Sequence, residues 1–264
     1  MTTRPSNLRR TIDARLGLRR PHARQQPGEW VVAMPSVVGT LLAVMAMIFV
    51  IGLLVPRQLA WKLDYTLGFV PGRFASGLEG RYGVSMLEGA GPLISHVFVH
   101  GNFAHITMNA LGLAIFGTAV ARRLRVEAGG GAGAWNTALF LGFFFASGIA
   151  GALAYGVANA GSGVLLVGAS GAISGTMAAA MRFALRPFAP YGPSEGPLAS
   201  PAAMPILVVS LVYVGSNLLT PLGLGQVAGI GLDIAWEAHI GGYLFGLFAF
   251  PLFDRAVRRG ASPA

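Results

Sequence analysis

The chain has 264 residues, of which 54% are hydrophobic and only 11% charged, with mean hydropathy +0.62. Soluble domains carry about a quarter charged residues, so the composition excludes an ordinary cytosolic enzyme and points to one bundle of membrane spans. Cysteine is absent, which removes disulfide scaffolds, thiolate zinc sites and cysteine nucleophiles together, and 19 basic against 10 acidic residues, a net charge of +9, are too scattered for a nucleic-acid groove.

Residues 1–29 read as a basic cytoplasmic tail, 30–255 as the membrane domain and 256–264 as a short cytoplasmic C-terminal tail. The N-terminal tail is not read as a cleaved signal peptide, because the first apolar run begins too late and no small-residue cleavage site follows it. A solvated tail that sets topology is the simpler reading; contact with anionic lipid headgroups is the alternative. A helix needs about 20 apolar residues to cross about 30 Å of hydrocarbon. Val37 to Val55 meets that test, flanked by Trp30 and Trp61 as interfacial anchors. The loop from Pro56 to Ser95 carries Trp61, Tyr65, Phe69, Phe74 and Tyr82, so it is expected to dip into the outer interface.

The second span runs from about Asn102 to Val120 and is stopped by Arg122, Arg123 and Arg125. Residues 128–134 read as a Gly-rich linker, and Trp135 to Val157 is the third span. Ser170 to Ala184 is a short fourth, closed by Arg186-Pro187 and followed by a Gly/Ser/Pro-rich linker at 190–201. Ala203 to Leu219 is the fifth, ending at Thr220-Pro221; Leu232 to Phe253 is the sixth, closed by Asp254-Arg255 and Arg258-Arg259. No repeat of fixed period is visible. The expected fold is an all-α polytopic membrane protein, a bundle of six transmembrane helices with a long interfacial first loop.

Fifteen of the nineteen basic residues fall in the N-terminal tail, the second loop, the region after span four and the C-terminal end. The positive-inside rule makes that side cytoplasmic, with both termini there. Arg57, Lys62, Arg73 and Arg81 lie in the long first loop, and the loops 158–167 and 221–234 carry no basic residue.

Polar side chains inside spans are costly, so each is a functional candidate. His100, His105 and Asn109 lie around the start of span two, Ser170 opens span four and His239 sits about two turns into span six. All three spans run inward, which places the whole set in the outer half of the membrane. Taken singly, each has a plainer reading: Ser170 as a helix cap, His239 as a packed interior histidine, Asn109 as interhelical glue. The surrounding glycines change that weighing. Gly168-Ala169-Ser170-Gly171 places a hydroxyl between glycines at a loop-to-helix junction, where the backbone can turn sharply. Gly171 and Gly175 form a small-xxx-small face on span four, and Gly242 and Gly246 another on span six. His239, three residues before Gly242, falls on nearly the same face. Span four is only about 22 Å long, so its Ser170 end can lie below the surface in a water-filled depression.

His100, His105 and Asn109 in His-x4-His-x3-Asn, then Gly168-Ala169-Ser170-Gly171, then Ala238-His239-Ile240-Gly241-Gly242, resemble the rhomboid family of intramembrane serine proteases, in the family's order. The six-span form is similar to the basic bacterial type, which implies a multi-pass protein of the bacterial inner membrane. The resemblance implies Ser170 as nucleophile and His239 as general base, with no cofactor and no metal. It further implies an oxyanion site of the Ser170 N–H, the Asn109 amide and His105, with His100, Gly168, Gly171 and Gly242 in support. Many relatives carry an aromatic four residues after the serine, where this chain has Ser174; the first-loop Trp-Arg pair is missing, although Phe69-Val70-Pro71-Gly72-Arg73-Phe74 resembles a loop segment of other members. Glu237, two positions from His239 and on another helix face, reads as a rim residue, which leaves the catalytic unit a dyad. The implied partners are transmembrane protein substrates and the lipid bilayer, not nucleic acid; nothing in the sequence specifies an oligomeric state.

Three other functions compete with proteolysis. One is a rhomboid-like protein that binds membrane helices without cutting them. Another is a channel or transporter, which would call for mid-membrane acidic residues or interrupted helices in symmetric halves. The third is a metal site from His96, His100 and His105, for which the chain offers no His-Glu-x-x-His and no neighbouring carboxylate.

Overall fold

The computed structural model describes residues 34–127, 131–186, 196–220 and 235–260. The tail at 1–29, Trp30, part of both predicted linkers and the loop 221–234 lie outside the described residues. Every regular element described is helical: α1 Ser36–Leu54, α2 Arg57–Leu67, α3 Pro71–Glu79, α4 Met86–Ala90, α5 Pro92–Ser95, α6 Phe103–Arg123, α7 Gly131–Ala158, α8 Ser170–Ala184, α9 Met204–Leu218 and α10 Trp236–Gly260. Four of them, α1, α6, α7 and α10, are long and apolar enough to cross a membrane. The 15-residue helices α8 and α9 join them. The protein is a polytopic helical bundle.

Three boundaries differ from those read in the sequence. Helix α6 does not stop before its arginines but includes Arg122 and Arg123. The Arg123 side chain is fully buried against Asp254 at 2.7 Å, so here an arginine is part of the bundle rather than its edge. Gly131 to Ala134, predicted as linker, form the first turn of α7. The sixth apolar stretch runs on past Phe253 to Gly260, because Asp254 pairs with Arg123 and with Arg258 one turn later instead of breaking the helix. Helix α6 also widens into a π-turn at Leu113–Gly117, between His105 and Asn109 on one side and its arginines on the other.

Two packing zones divide the bundle. At the arginine end, Phe140, Phe143, Phe144, Phe183 and Phe250 fill a core closed by edge-to-face rings, with Phe143 and Phe250 centroids 5.2 Å apart. Toward the other end, α7, α8 and α10 approach through small residues. Lipid-facing surfaces stay apolar, with Val50, Leu53 and Leu54 on α1, Leu211 and Val212 on α9, and Phe248 and Leu252 on α10 exposed.

The first loop is folded into α2 to α5 rather than a plain dipping segment. Pro71 starts α3 at a position where its missing N–H costs nothing. Arg73 donates to the carbonyls of Tyr65 and Gly68 and lies over the Tyr65 ring, tying α2 to α3. Ser85 and Glu88 form a capping box on α4. The Ser85 hydroxyl and N–H hold the Glu88 carboxyl below the usual carboxylate range.

Candidate active site

The backbone ahead of Ser170 is held by three separate attachments. Phe69 and Leu166 exchange N–H···O bonds of 2.9 and 2.8 Å in an antiparallel bridge. The Gly72 N–H reaches the Ser162 carbonyl at 2.8 Å, and the Gly168 N–H reaches the His96 carbonyl at 2.9 Å. Gly168 then turns the chain at φ +108°, and a Cβ placed there would lie 2.5 Å from His105 Nε2. Only glycine fits this position, for its dihedral and for its space.

Ser170 opens α8 but does not cap it. Ala169 is the N-cap, no side chain caps the helix, and the Ser170 hydroxyl is committed elsewhere: its Oγ lies 2.8 Å from His239 Nε2. Ile173 is the first residue of α8 seen to bond backward, to the Ala169 carbonyl at 2.9 Å. The N–H groups before it, including that of Ser170, lie at the positive end of the helix without an intrahelical acceptor.

His239 reaches Ser170 because α8 and α10 nearly touch along the predicted glycine faces. A Cβ on Gly242 would collide with the Gly171 carbonyl, and one on Gly246 would lie 2.5 Å from the Gly175 Cα. Helix α7 closes the third side, where a Cβ on Gly151 would lie 2.6 Å from the Ala238 carbonyl oxygen. Both Ser170 and His239 are half-buried.

The other nominated residues surround this pair to different degrees. Asn102 caps α6 by accepting the His105 N–H at 2.8 Å, which presents the His105 ring to Gly168. Asn109 is buried; its Nδ2 donates to the His105 carbonyl at 2.8 Å, leaving one amide hydrogen uncommitted, and its Oδ1 has no partner. His100 is buried edge-on to His105, ring centroids 5.1 Å apart, with neither ring nitrogen hydrogen-bonded. His96 turns its Nδ1 to the Pro92 carbonyl at 2.9 Å, and no cluster of three potential metal ligands exists among the described residues. Glu237 accepts from Asn159 at 3.2 Å, at the end of α7.

Helix α9 contributes residues that sequence reasoning missed. Asn217 Oδ1 lies 2.8 Å from His239 Nδ1. The Tyr213 hydroxyl meets the Ser174 hydroxyl at 2.6 Å, and Ser174 also donates to the Ser170 carbonyl at 2.6 Å. Ser210 meets the Tyr243 hydroxyl at 2.6 Å, and the Tyr213 and Tyr243 rings stack at 4.8 Å. Ser210, Tyr213 and Asn217 share one face of α9 by their i, i+3, i+7 spacing. That polar stripe in an otherwise apolar span was the available signal.

No curated protein matches the chain. A family model described as Rhomboid domain matches residues 89–255, from α4 through nearly all of α10, and so takes in every residue of the site. That match extends over more than half of the sequence and contains all three motifs: this chain belongs to the rhomboid family, whose members are generally intramembrane proteases.

Proposed function

We propose that this protein is an intramembrane serine endopeptidase that cleaves transmembrane segments of other membrane proteins. The observation that carries the reading is the 2.8 Å separation of Ser170 Oγ and His239 Nε2, which is hydrogen-bond distance between a nucleophile and a base. Serine is weakly nucleophilic at neutral pH. In the proposed reaction His239 Nε2 takes the Ser170 proton as Oγ attacks a peptide carbonyl. The tetrahedral oxyanion is met by the free N–H groups at the start of α8, by the second amide hydrogen of Asn109 and by His105. His239 passes its proton to the leaving amine, and the C–N bond breaks to leave an ester on Ser170. A water molecule, deprotonated by His239, then hydrolyses that ester and restores the hydroxyl.

A helical substrate hides its carbonyls in its own hydrogen bonds, so cleavage requires local unwinding. Small or helix-weakening residues near the cut therefore define the substrate class. The likeness to the basic bacterial six-span form supports a bacterial inner-membrane protein, and the arginine distribution supports both termini cytoplasmic with the site near the outer side. The test is cleavage of a single-span model substrate in detergent by wild type, Ser170→Ala and His239→Ala. Loss of cleavage in both variants is expected, by a factor of about 1,000 or more. Equal cleavage by all three ends the assignment, and chelator-sensitive cleavage would favour a metal site. A wild type that binds the substrate helix and leaves it intact would be the non-proteolytic relative instead.

A further inference from the structure

The reaction above leaves one strong contact of the site without a role, that between His239 Nδ1 and Asn217 Oδ1 at 2.8 Å. The other end of the amide is spoken for, since Asn217 Nδ2 donates to the Tyr213 carbonyl at 2.9 Å. A carbonyl oxygen can only accept, so that bond decides which end of the amide faces the ring. With Oδ1 turned to His239, the hydrogen between them must sit on Nδ1. Nε2 keeps its lone pair and can only accept from the Ser170 hydroxyl.

We infer that Asn217 is a positioning residue that fixes the tautomer and the ring orientation of His239, making the working unit Ser170–His239–Asn217. The inference rests on the serine-protease reading and deepens it. Helix α9 is well suited to hold this residue. Its Ser210 bonds Tyr243 of α10 and its Tyr213 bonds Ser174 of α8, each at 2.6 Å. These two links lock its register from two neighbours, and the same face one turn on delivers Asn217 to His239. Asn217 and Ile206 are the buried residues of α9. An amide buried there costs stability unless both of its ends are bonded, and both are. Back-bonding to Tyr213 accounts for Nδ2 alone; the partner of Oδ1 is the histidine. A neutral acceptor also suits the depth, because a carboxylate at this place would carry a heavy desolvation penalty. It holds the tautomer without lending full charge to the imidazolium.

The test uses the full-length protein in detergent with a single-span model substrate and, separately, a fluorophosphonate that labels an activated serine. Asn217→Leu removes the acceptor at similar volume and is expected to lower kcat about 10- to 100-fold, with KM within about twofold and labelling slowed in parallel. Asn217→Asp, which keeps an acceptor oxygen at that place but must bury its charge, is expected to recover part of the loss. The direct readout is 15N NMR of histidine-labelled Ser170→Ala protein, in which His239 is expected as a single Nδ1–H tautomer; adding Asn217→Leu is expected to produce a mixture. Wild-type kcat and labelling rate in Asn217→Leu, or the same tautomer with and without Asn217, overturns the inference. Should Asn217→Leu fail to fold, the Ser170→Ala spectrum decides alone, and an Nε2–H tautomer refutes the role. Cleavage that survives Ser170→Ala would sink the protease reading; an unimpaired Asn217→Leu beside an inactive Ser170→Ala would sink only the role of Asn217.

Discussion

At Gly168 two demands meet in one residue. The backbone there sits at φ +108°, and the space where a side chain would begin is taken by the His105 ring. Alanine would have to displace that ring and hold an unfavourable dihedral, at about 1–3 kcal/mol. Gly168→Ala should therefore cut the cleavage rate at least tenfold while circular dichroism still reports a helical protein. Asn109 makes a different prediction. One amide hydrogen is engaged by the His105 carbonyl, and the proposed mechanism uses the other on the oxyanion. Asn109→Ala should lower kcat about 100- to 1,000-fold with little change in KM, measured by steady-state cleavage; unchanged turnover would remove it from the oxyanion site. Ser170 and His239 stood out in the sequence because a polar group flanked by glycines in an apolar span has few structural reasons to exist. Asn217 obeys the same rule of cost, but Gly215 beside it is a lone glycine that pairs into no small-residue face, and no motif includes it. Its proposed role depends on a histidine 22 residues away that only the folded chain brings near.

Among the elements, the contact between α8 and α10 decides whether the site exists. Gly171 and Gly175 against Gly242 and Gly246 allow backbone-to-backbone contact, so the two faces read as helix-packing surfaces in the sequence meet in the fold. Gly246→Leu would drive a side chain into the Gly175 backbone, which cannot move away as a flexible side chain could. The expected result is a loss of about 1–3 kcal/mol or more in a denaturant titration, together with lost cleavage. Gly39→Ala on α1 is the control: nothing lies within 4 Å of its would-be Cβ, and better helix propensity should leave stability equal or slightly raised. Helix edges were the least legible feature. Gly131–Ala134 have turn-like composition yet extend α7, and Asn102 caps α6 where the sequence reading began the span itself. Local composition sets a preference of tenths of a kcal/mol per residue, and the packing of a long helix overrides it.

On the scale of the whole molecule, the end of α6 remote from His105 is fastened by ions. Arg123 Nε lies 2.7 Å from Asp254 Oδ1, Arg258 reaches Asp254 Oδ2 at 3.1 Å, and both arginines donate to the Gly196 carbonyl. Arg182 adds bonds to the carbonyls of Leu247 and Ala199, each at 2.9 Å. These arginines mark the side expected to be cytoplasmic, and Arg123 and Arg182 are also buried struts. Breaking a buried pair strands the remaining charge, so Asp254→Ala should cost about 3–5 kcal/mol. Removing both partners with Arg123→Ala/Asp254→Ala should cost less than the two single losses combined, as a double-mutant cycle of thermal or denaturant unfolding would show. Cleavage per folded molecule should stay near wild type, because the pair lies at the other end of the bundle from Ser170.

The amino-acid order by itself determined a helical membrane bundle, the number and approximate place of its apolar stretches, and a short set of polar residues too costly to be incidental. Those properties are one-dimensional, because hydropathy, charge and glycine spacing act through each segment's own exchange with lipid and water. What the tertiary structure alone decided is pairing: Ser170 with His239 across 69 positions, Arg123 with Asp254 across 131, Phe69 with Leu166, and Asn217 with the far side of the imidazole. Such contacts depend on the register and crossing of helices against one another, and no single helix carries that information in its own periodicity.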